Sequence, residues 1–200
     1  MNNIYFTSDP HYGHTNIVKG ISNWSDISGC RDFETLEAHN STIVDSINSI
    51  VKAGDTLYCL GDWAFGGSHN IGTFRDRLNC RTIHLILGNH DHHIENGAQV
   101  GLFTSVKYVD QLSLKTDAQT GFMGKTKFFL SHYSHQVWNN SHHGAIHLFG
   151  HSHGSIKGIG RSMDVGVDTH DFYPYHLDEI LDIMKGIPVH EVDHHNERTT

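Results

Sequence analysis

Five short apolar runs, each ending in residues able to hold a metal or move a proton, constrain this chain more than any other feature. Ile4 to Thr7 leads into Asp9-Pro10-His11, and Thr56 to Leu60 into Gly61-Asp62. Thr82 to Leu87 leads into Gly88-Asn89-His90-Asp91, Lys127 to Leu130 into His132, and Ala145 to Phe149 into Gly150-His151-Ser152-His153. Short β-leaning runs bounded by glycine and polar residues read as buried strands. In layered α/β folds, chemistry collects beyond the carboxyl ends of strands. Five such endings can therefore meet in one place.

Helical segments lie between some of these runs. From Phe33 to Lys52, the residues Phe33, Leu36, Ile43, Val44, Ile47, Ile50 and Val51 share one helical face, and Ala53-Gly54-Asp55 stops it. Ile71, Phe74 and Leu78 give a shorter helix. Val109 to Leu114 alternates as a strand, Asp117 to Gly121 reads as a hairpin turn, and Phe122 to Ser131 returns. Met163 to Val167 is another strand, and Leu177 to Met184 a closing helix after Pro174. With neither repeat nor linker, the expectation is one α/β domain over residues 1–189, a sandwich of α/β/β/α type, with a polar, frayed tail over 190–200.

Composition narrows the function classes. Hydrophobic residues make up 37% of the 200 and charged residues 18%, which excludes disorder, collagen and coiled coil. No apolar run approaches the roughly 20 residues of a membrane span. The start, Met1-Asn2-Asn3, lacks the basic residues and long apolar run of an export signal. Three cysteines make no disulfide framework, so the expected compartment is cytoplasmic, and Cys59 reads as a buried inert thiol. A net charge of −8 without a basic stripe disfavours long nucleic acid as a partner. The abnormal count is 20 histidines, the commonest metal-binding side chain. Adjacent pairs such as His92-His93 and His142-His143 point in different directions and read as solvated.

Each motif is weak alone. Asp9 and His11, two apart, would share a face on a strand. Gly61-Asp62 is also a common turn, and Gly150-His151-Ser152-His153 could be surface decoration. The ordered series is far more specific. Asp-x-His, Gly-Asp, Gly-Asn-His-Asp, a lone histidine and Gly-His-x-His, each after a strand, resemble the signature of the calcineurin-like metallophosphoesterase superfamily. His14, following Asp9-Pro10-His11-Tyr12-Gly13, resembles the small single-domain bacterial or phage type. Asp164-Val165-Gly166-Val167-Asp168 and Pro174 are similar to that family's closing strand and turn. Trp63-Ala64-Phe65 and Cys80 depart from the usual pattern, and His92 to Thr126 matches no motif.

The resemblance implies a four-layer α/β/β/α fold holding two divalent ions. Asp9, His11 and His153 would hold one; Asn89, His132 and His151 the other; Asp62 would bridge them. His90 would be a general acid facing the leaving group, oriented by Asp91, and Asn89 would also meet the substrate phosphate. From its position alone, three residues after His11 on the loop after the first strand, His14 could reach the phosphate without binding metal, or be a solvated surface histidine. The chemistry of the residues agrees independently. Mixed nitrogen and oxygen ligands without cysteine favour Mn, Fe, Co, Ni or Zn over Ca or Mg, and manganese is the expected ion. Such a pair makes hydroxide available near neutral pH for in-line attack on phosphorus. The expected activity is hydrolysis of a small phosphodiester: a cyclic nucleotide, a nucleotide derivative or a nucleic-acid end. A phosphomonoesterase or phosphoprotein phosphatase is the alternative enzyme. A catalytically silent protein-binding platform and a metal buffer are the non-enzymatic alternatives, and turnover of bis(p-nitrophenyl) phosphate with Mn²⁺ separates both from an enzyme. Tyr12, His14, Trp24, Trp63 and Phe65 could stack on a base or pack in the interior. Arg31, Arg75 and Arg81 could hold a phosphate or sit in solvent.

Overall fold

Burial decides which apolar runs become strands and where each stops. In the computed structural model, which describes residues 2–189, the chain begins with β1 (Ile4–Thr7), three of whose four residues are buried. Helix α1 (Leu36–Ile50) starts later than its apolar period, because the Thr35 side chain accepts from the Ala38 N–H at 3.1 Å and fixes the cap there. There follow β2 (Thr56–Cys59), α2 (Ser68–Arg77) and β3 (Thr82–Ile86), then the short α3 (His92–Glu95) and β4 (Ser105–Lys107). The hairpin β5 (Val109–Thr116) and β6 (Gly124–Ser131) leads to β7 (Ile146–Phe149), β8 (Ser162–Asp164), β9 (Tyr175–His176) and α4 (Leu177–Lys185). A reciprocal cap opens α4: His176 Nδ1 accepts from the Asp178 N–H, and Glu179 accepts from the His176 N–H. The expected frayed tail over 190–200 lies outside the described residues.

The strands form two sheets, ordered β4-β3-β2-β1-β9 and β5-β6-β7-β8. Strands β1 to β4 run parallel, with β9 antiparallel at the edge. In the second sheet, β6, β7 and β8 run parallel and β5 is antiparallel. The protein is thus mixed α/β, with two sheets and four helices among the described residues.

Alternation along the strands divides the core in two. Tyr5, Leu57, Cys59, Ile83 and Leu85 pack against Ile43, Val44 and Ile47 of α1 and Ile71 and Phe74 of α2. On the opposite face, Phe6, Tyr58, Leu60 and Ile86 meet Phe128, Leu130, Ile146 and Leu148 of the second sheet, together with Ile180, Leu181 and Met184 of α4. Phe6 stacks on Tyr58 at 5.3 Å and on Phe128 at 5.9 Å, joining the sheets. Truncating such a phenylalanine costs about 3–5 kcal/mol. The outer face of the second sheet carries His147, which packs on Phe129, Phe149 and Trp138. The 132–145 segment lies against this face, with Trp138 donating to the Ala145 carbonyl and a short 3-10 turn at Ser141–His143. Among the described residues, no helix is long and apolar enough to cross a membrane.

Candidate metal centre

The carboxyl ends of β1, β2, β3, β6 and β7 converge, bringing both sheets to one site. Asp9, His11 and His153 place ligating atoms within 4.8 Å of one another, as do Asp9, Asp62 and His132. Asp62 Oδ2 lies 3.6 Å from His11 Nε2 and 3.7 Å from His132 Nε2, between the two rings. Asp9, assigned by sequence to one ion, contributes to both groups. Asn89 Oδ1 sits 3.0 Å from His132 Nε2, and the His151 ring packs edge-on against His132 at 5.1 Å.

Strand pleating does not aim these side chains. β1 ends at Thr7, so Asp9 and His11 do not share a strand face as their spacing suggested. Both have left-handed backbone, with φ of 56° and 50°. Asp62, His151 and His153 do likewise, at 55°, 66° and 47°. Such conformations cost of order 1–3 kcal/mol each and persist only where the surroundings impose them. Here hydrogen bonds from the loops impose them: the Asp9 N–H donates to the Gly61 carbonyl, the His11 N–H to the Asp62 carbonyl, and the His151 N–H to Asp9 Oδ2 at 2.9 Å. Two glycines allow the approach. A Cβ at Gly88 would strike the Asp62 carboxylate, and one at Gly150 would strike Ser8 and Asp9.

Hydrogen bonding fixes the histidine tautomers. His132 Nδ1–H donates to the Leu60 carbonyl at 2.7 Å, so the neutral ring presents an Nε2 lone pair to Asn89 Oδ1 and Asp62 Oδ2. His153 Nδ1–H donates to Asp168 at 2.6 Å, leaving its Nε2 facing His11 Nε2 at 3.2 Å. Among the described residues, buried Asp9 Oδ1 has no hydrogen-bond partner. Lone pairs converging without hydrogens between them are what a cation site requires, and this donor set of imidazole, carboxylate and amide oxygen fits transition ions. Burial pushes the Asp9 carboxyl up from the usual range and holds His11 and His132 below theirs.

Asp91 needs a correction. It was expected to orient His90, but its carboxylate accepts from the backbone N–H groups of Asp62, Trp63 and Gly88 at 2.8–2.9 Å. Three converging N–H groups occupy both oxygens, so Asp91 ties the loop after β2 to the loop after β3. His90 instead places its ring 4.5 Å from Phe65 and 5.9 Å from His11, and its N–H donates to Asp62 Oδ1 at 2.9 Å. His14 lies beside the site, with its ring 5.4 Å from that of His11. Tyr12 and Trp63 are buried in the core, so neither is free to stack on a ligand.

Two residues behind the site escaped the sequence reading. Arg31, weighed only as a phosphate holder or a solvated side chain, is buried. Its fork donates to both oxygens of Asp168 and to the carbonyls of Pro10 and Asp9, and lies 2.9 Å from His39 Nε2. Asp168 in turn holds His153. Burial alone would raise the Asp168 carboxyl; the hydrogen bonds from His153 and Arg31 outweigh it and hold the group well below its usual range. The signal available in sequence was Asp168 directly after the expected strand Met163 to Val167, but nothing local linked it to Arg31.

No protein-family model matches the chain. The chain is 29% identical to the Gene 66 protein of Mycobacterium phage L5, over 97% of this chain and all of that protein. It is 26% identical to an uncharacterized protein of Methanocaldococcus jannaschii, covering 92% and 93% of the two chains. A solved protein of unknown function from Aquifex aeolicus shares the fold, with a TM-score of 0.65 at 19% identity over 92% of this chain and all of that one. None of these names states an activity.

Proposed function

We propose that the protein is a dinuclear metal-dependent phosphoesterase of the calcineurin-like type, acting on small phosphodiesters. The observation that carries this proposal is Asp62 Oδ2, set between histidines contributed by two different sheets. Divalent ions at adjacent positions repel, and a shared carboxylate offsets that repulsion. On this reading the facing sheets are the middle layers of an α/β/β/α sandwich, and the Trp138 segment stands where the outermost layer belongs.

Asp9, His11, His153 and Asp62 would hold one ion, and Asp62, Asn89, His132 and His151 the other. When bound, the ions supply positive charge against the phosphoryl oxygens and lower the pKa of water so that it can attack near neutral pH. The chain's own residues do the rest. Asn89, exposed at the tip of its loop, can also donate its amide N–H to a non-bridging phosphoryl oxygen. His90, exposed on the same loop, is free to protonate the departing oxygen because its ring is not committed to Asp91. Arg31 and Asp168 keep His153 in the tautomer that leaves Nε2 available.

The deciding experiment replaces Asp62. Asp62→Asn should abolish turnover of bis(p-nitrophenyl) phosphate with Mn²⁺ and lower bound metal in the same preparation. A variant that keeps two ions per chain and near-normal turnover would sink the assignment.

A further inference from the structure

A ladder of aromatic rings runs outward from the candidate metal centre. The His11 ring lies 5.1 Å from Phe65 and 5.4 Å from His14. His14 and Phe65 stack nearly parallel, 3.8 Å apart with 7° between their planes. Trp24 stands edge-on to His14 at 5.7 Å and 75°, and it is 47% exposed. Among the described residues, this half-exposed tryptophan on a polar loop keeps a large apolar face in water.

The loop carrying Trp24 is anchored at both ends. The Asn23 N–H donates to the Asn16 side chain at 3.2 Å, the Arg31 N–H donates to the Ile17 carbonyl at 2.7 Å, and Cys30 Sγ–H donates to the Asn16 carbonyl at 3.3 Å. Trp24 is therefore held at a fixed place relative to His11, two ring steps away.

We propose that Trp24 and His14, backed by Phe65, form a stacking subsite for a nucleobase, and that the substrate is a nucleoside phosphate whose phosphoryl group sits at the metal centre. This rests on the phosphoesterase reading. A nucleobase suits the site because it is flat and can stack on the exposed Trp24 ring, two ring steps from His11. A sugar or alkyl group makes no use of the flat face. The base adds no charge, in keeping with a ladder that contains no lysine or arginine.

The test compares equilibrium binding of adenosine 5′-monophosphate and ribose 5-phosphate to the Mn²⁺-loaded protein, by calorimetry and by quenching of tryptophan fluorescence. Base–aromatic stacking predicts that the wild type binds the nucleotide about five- to a hundredfold more tightly. Trp24→Ala should bring that ratio close to one and leave ribose 5-phosphate binding unchanged, while Trp24→Phe should restore most of the preference. A wild-type ratio near one, failure of both ligands to bind, or a ratio untouched by Trp24→Ala overturns the subsite. Turnover of bis(p-nitrophenyl) phosphate is measured alongside. If it proceeds while the ratio is one, only the subsite fails. If the base preference is present and depends on Trp24 but no phosphoester is cleaved, the subsite stands as a nucleotide-binding site and the hydrolytic reading fails.

Discussion

Asp168 joins a buried cation to a candidate ligand through one carboxylate. Arg31 uses its fork on both oxygens, and His153 Nδ1–H shares one of them. Metal-binding histidines depend on such partners for tautomer and orientation, and their loss typically costs 10–100-fold in metal affinity. Asp168→Asn should weaken Mn²⁺ binding by that factor in a titration of the metal-free protein. Arg31→Lys should act in the same direction, because an ammonium cannot serve both carboxylate oxygens and two backbone carbonyls at once. Mn²⁺ affinity unchanged in Asp168→Asn would show that His153 is not a ligand. At this scale the candidate ligands stand out in the sequence because each closely follows an apolar run. Arg31 and Asp168, 137 positions apart, were not. Neither has a local pattern separating a buried ion pair from two solvated charges, and only the fold brings them together.

The elements were legible to within a few residues where the apolar period was long. Helix α1 and strands β1, β6 and β7 fall where periodicity and composition put them, with ends adjusted by caps. Strands β4 and β9, three and two residues long, carry too little sequence to announce themselves and exist only as edges to partners already in place. The loop geometry was hidden for a different reason. Side-chain spacing gives no hint of left-handed backbone at Asp9, His11 and Asp62, which the loops impose on one another. Asp91 is the clearest case, since its three N–H donors come from two loops. Asp91→Asn replaces an acceptor oxygen with an amide that cannot accept, leaving at least one buried N–H unpaired. That should cost about 1–3 kcal/mol and lower the Tm by several degrees in a protein of this size. If Asp91 acts on the loops and not through His90, the loss should be the same in a His90→Ala background. A loss that vanishes there would restore the histidine–aspartate pair.

The whole molecule ties its two sheets at the site end and leaves the outer face of the second sheet to a buried histidine. His147 Nδ1–H donates to the Phe129 carbonyl at 3.1 Å, and its Nε2 accepts from the His135 N–H at 3.1 Å. Protonating Nε2 would break the second bond and place a charge among Phe129, Phe149 and Trp138. Burial therefore lowers the His147 pKa to about 4. The sign follows from linkage. Between about pH 4 and pH 6.5 the unfolded chain carries a proton on this ring that the folded protein refuses, so stability rises with pH across that window. The contribution is complete above the unfolded value and is lost as pH falls, up to about 3 kcal/mol in all. Other groups titrate in the same range, so the effect is isolated as a difference. His147→Phe should be destabilised relative to wild type at pH 7.5, having lost both hydrogen bonds, and that deficit should shrink or reverse at pH 4.5, where the wild type has lost its advantage. Urea midpoints at the two pH values measure it. The 132–145 segment that His147 pins follows directly from His132, and β7 leads into His151 and His153. Acid should therefore loosen the second sheet's half of the candidate metal centre before global unfolding, seen as faster amide exchange at His135 and Trp138 at pH 4.5 than at pH 7.5 after correction for intrinsic rates. A pH-independent difference between wild type and His147→Phe would mean that this ring does not set the acid limit.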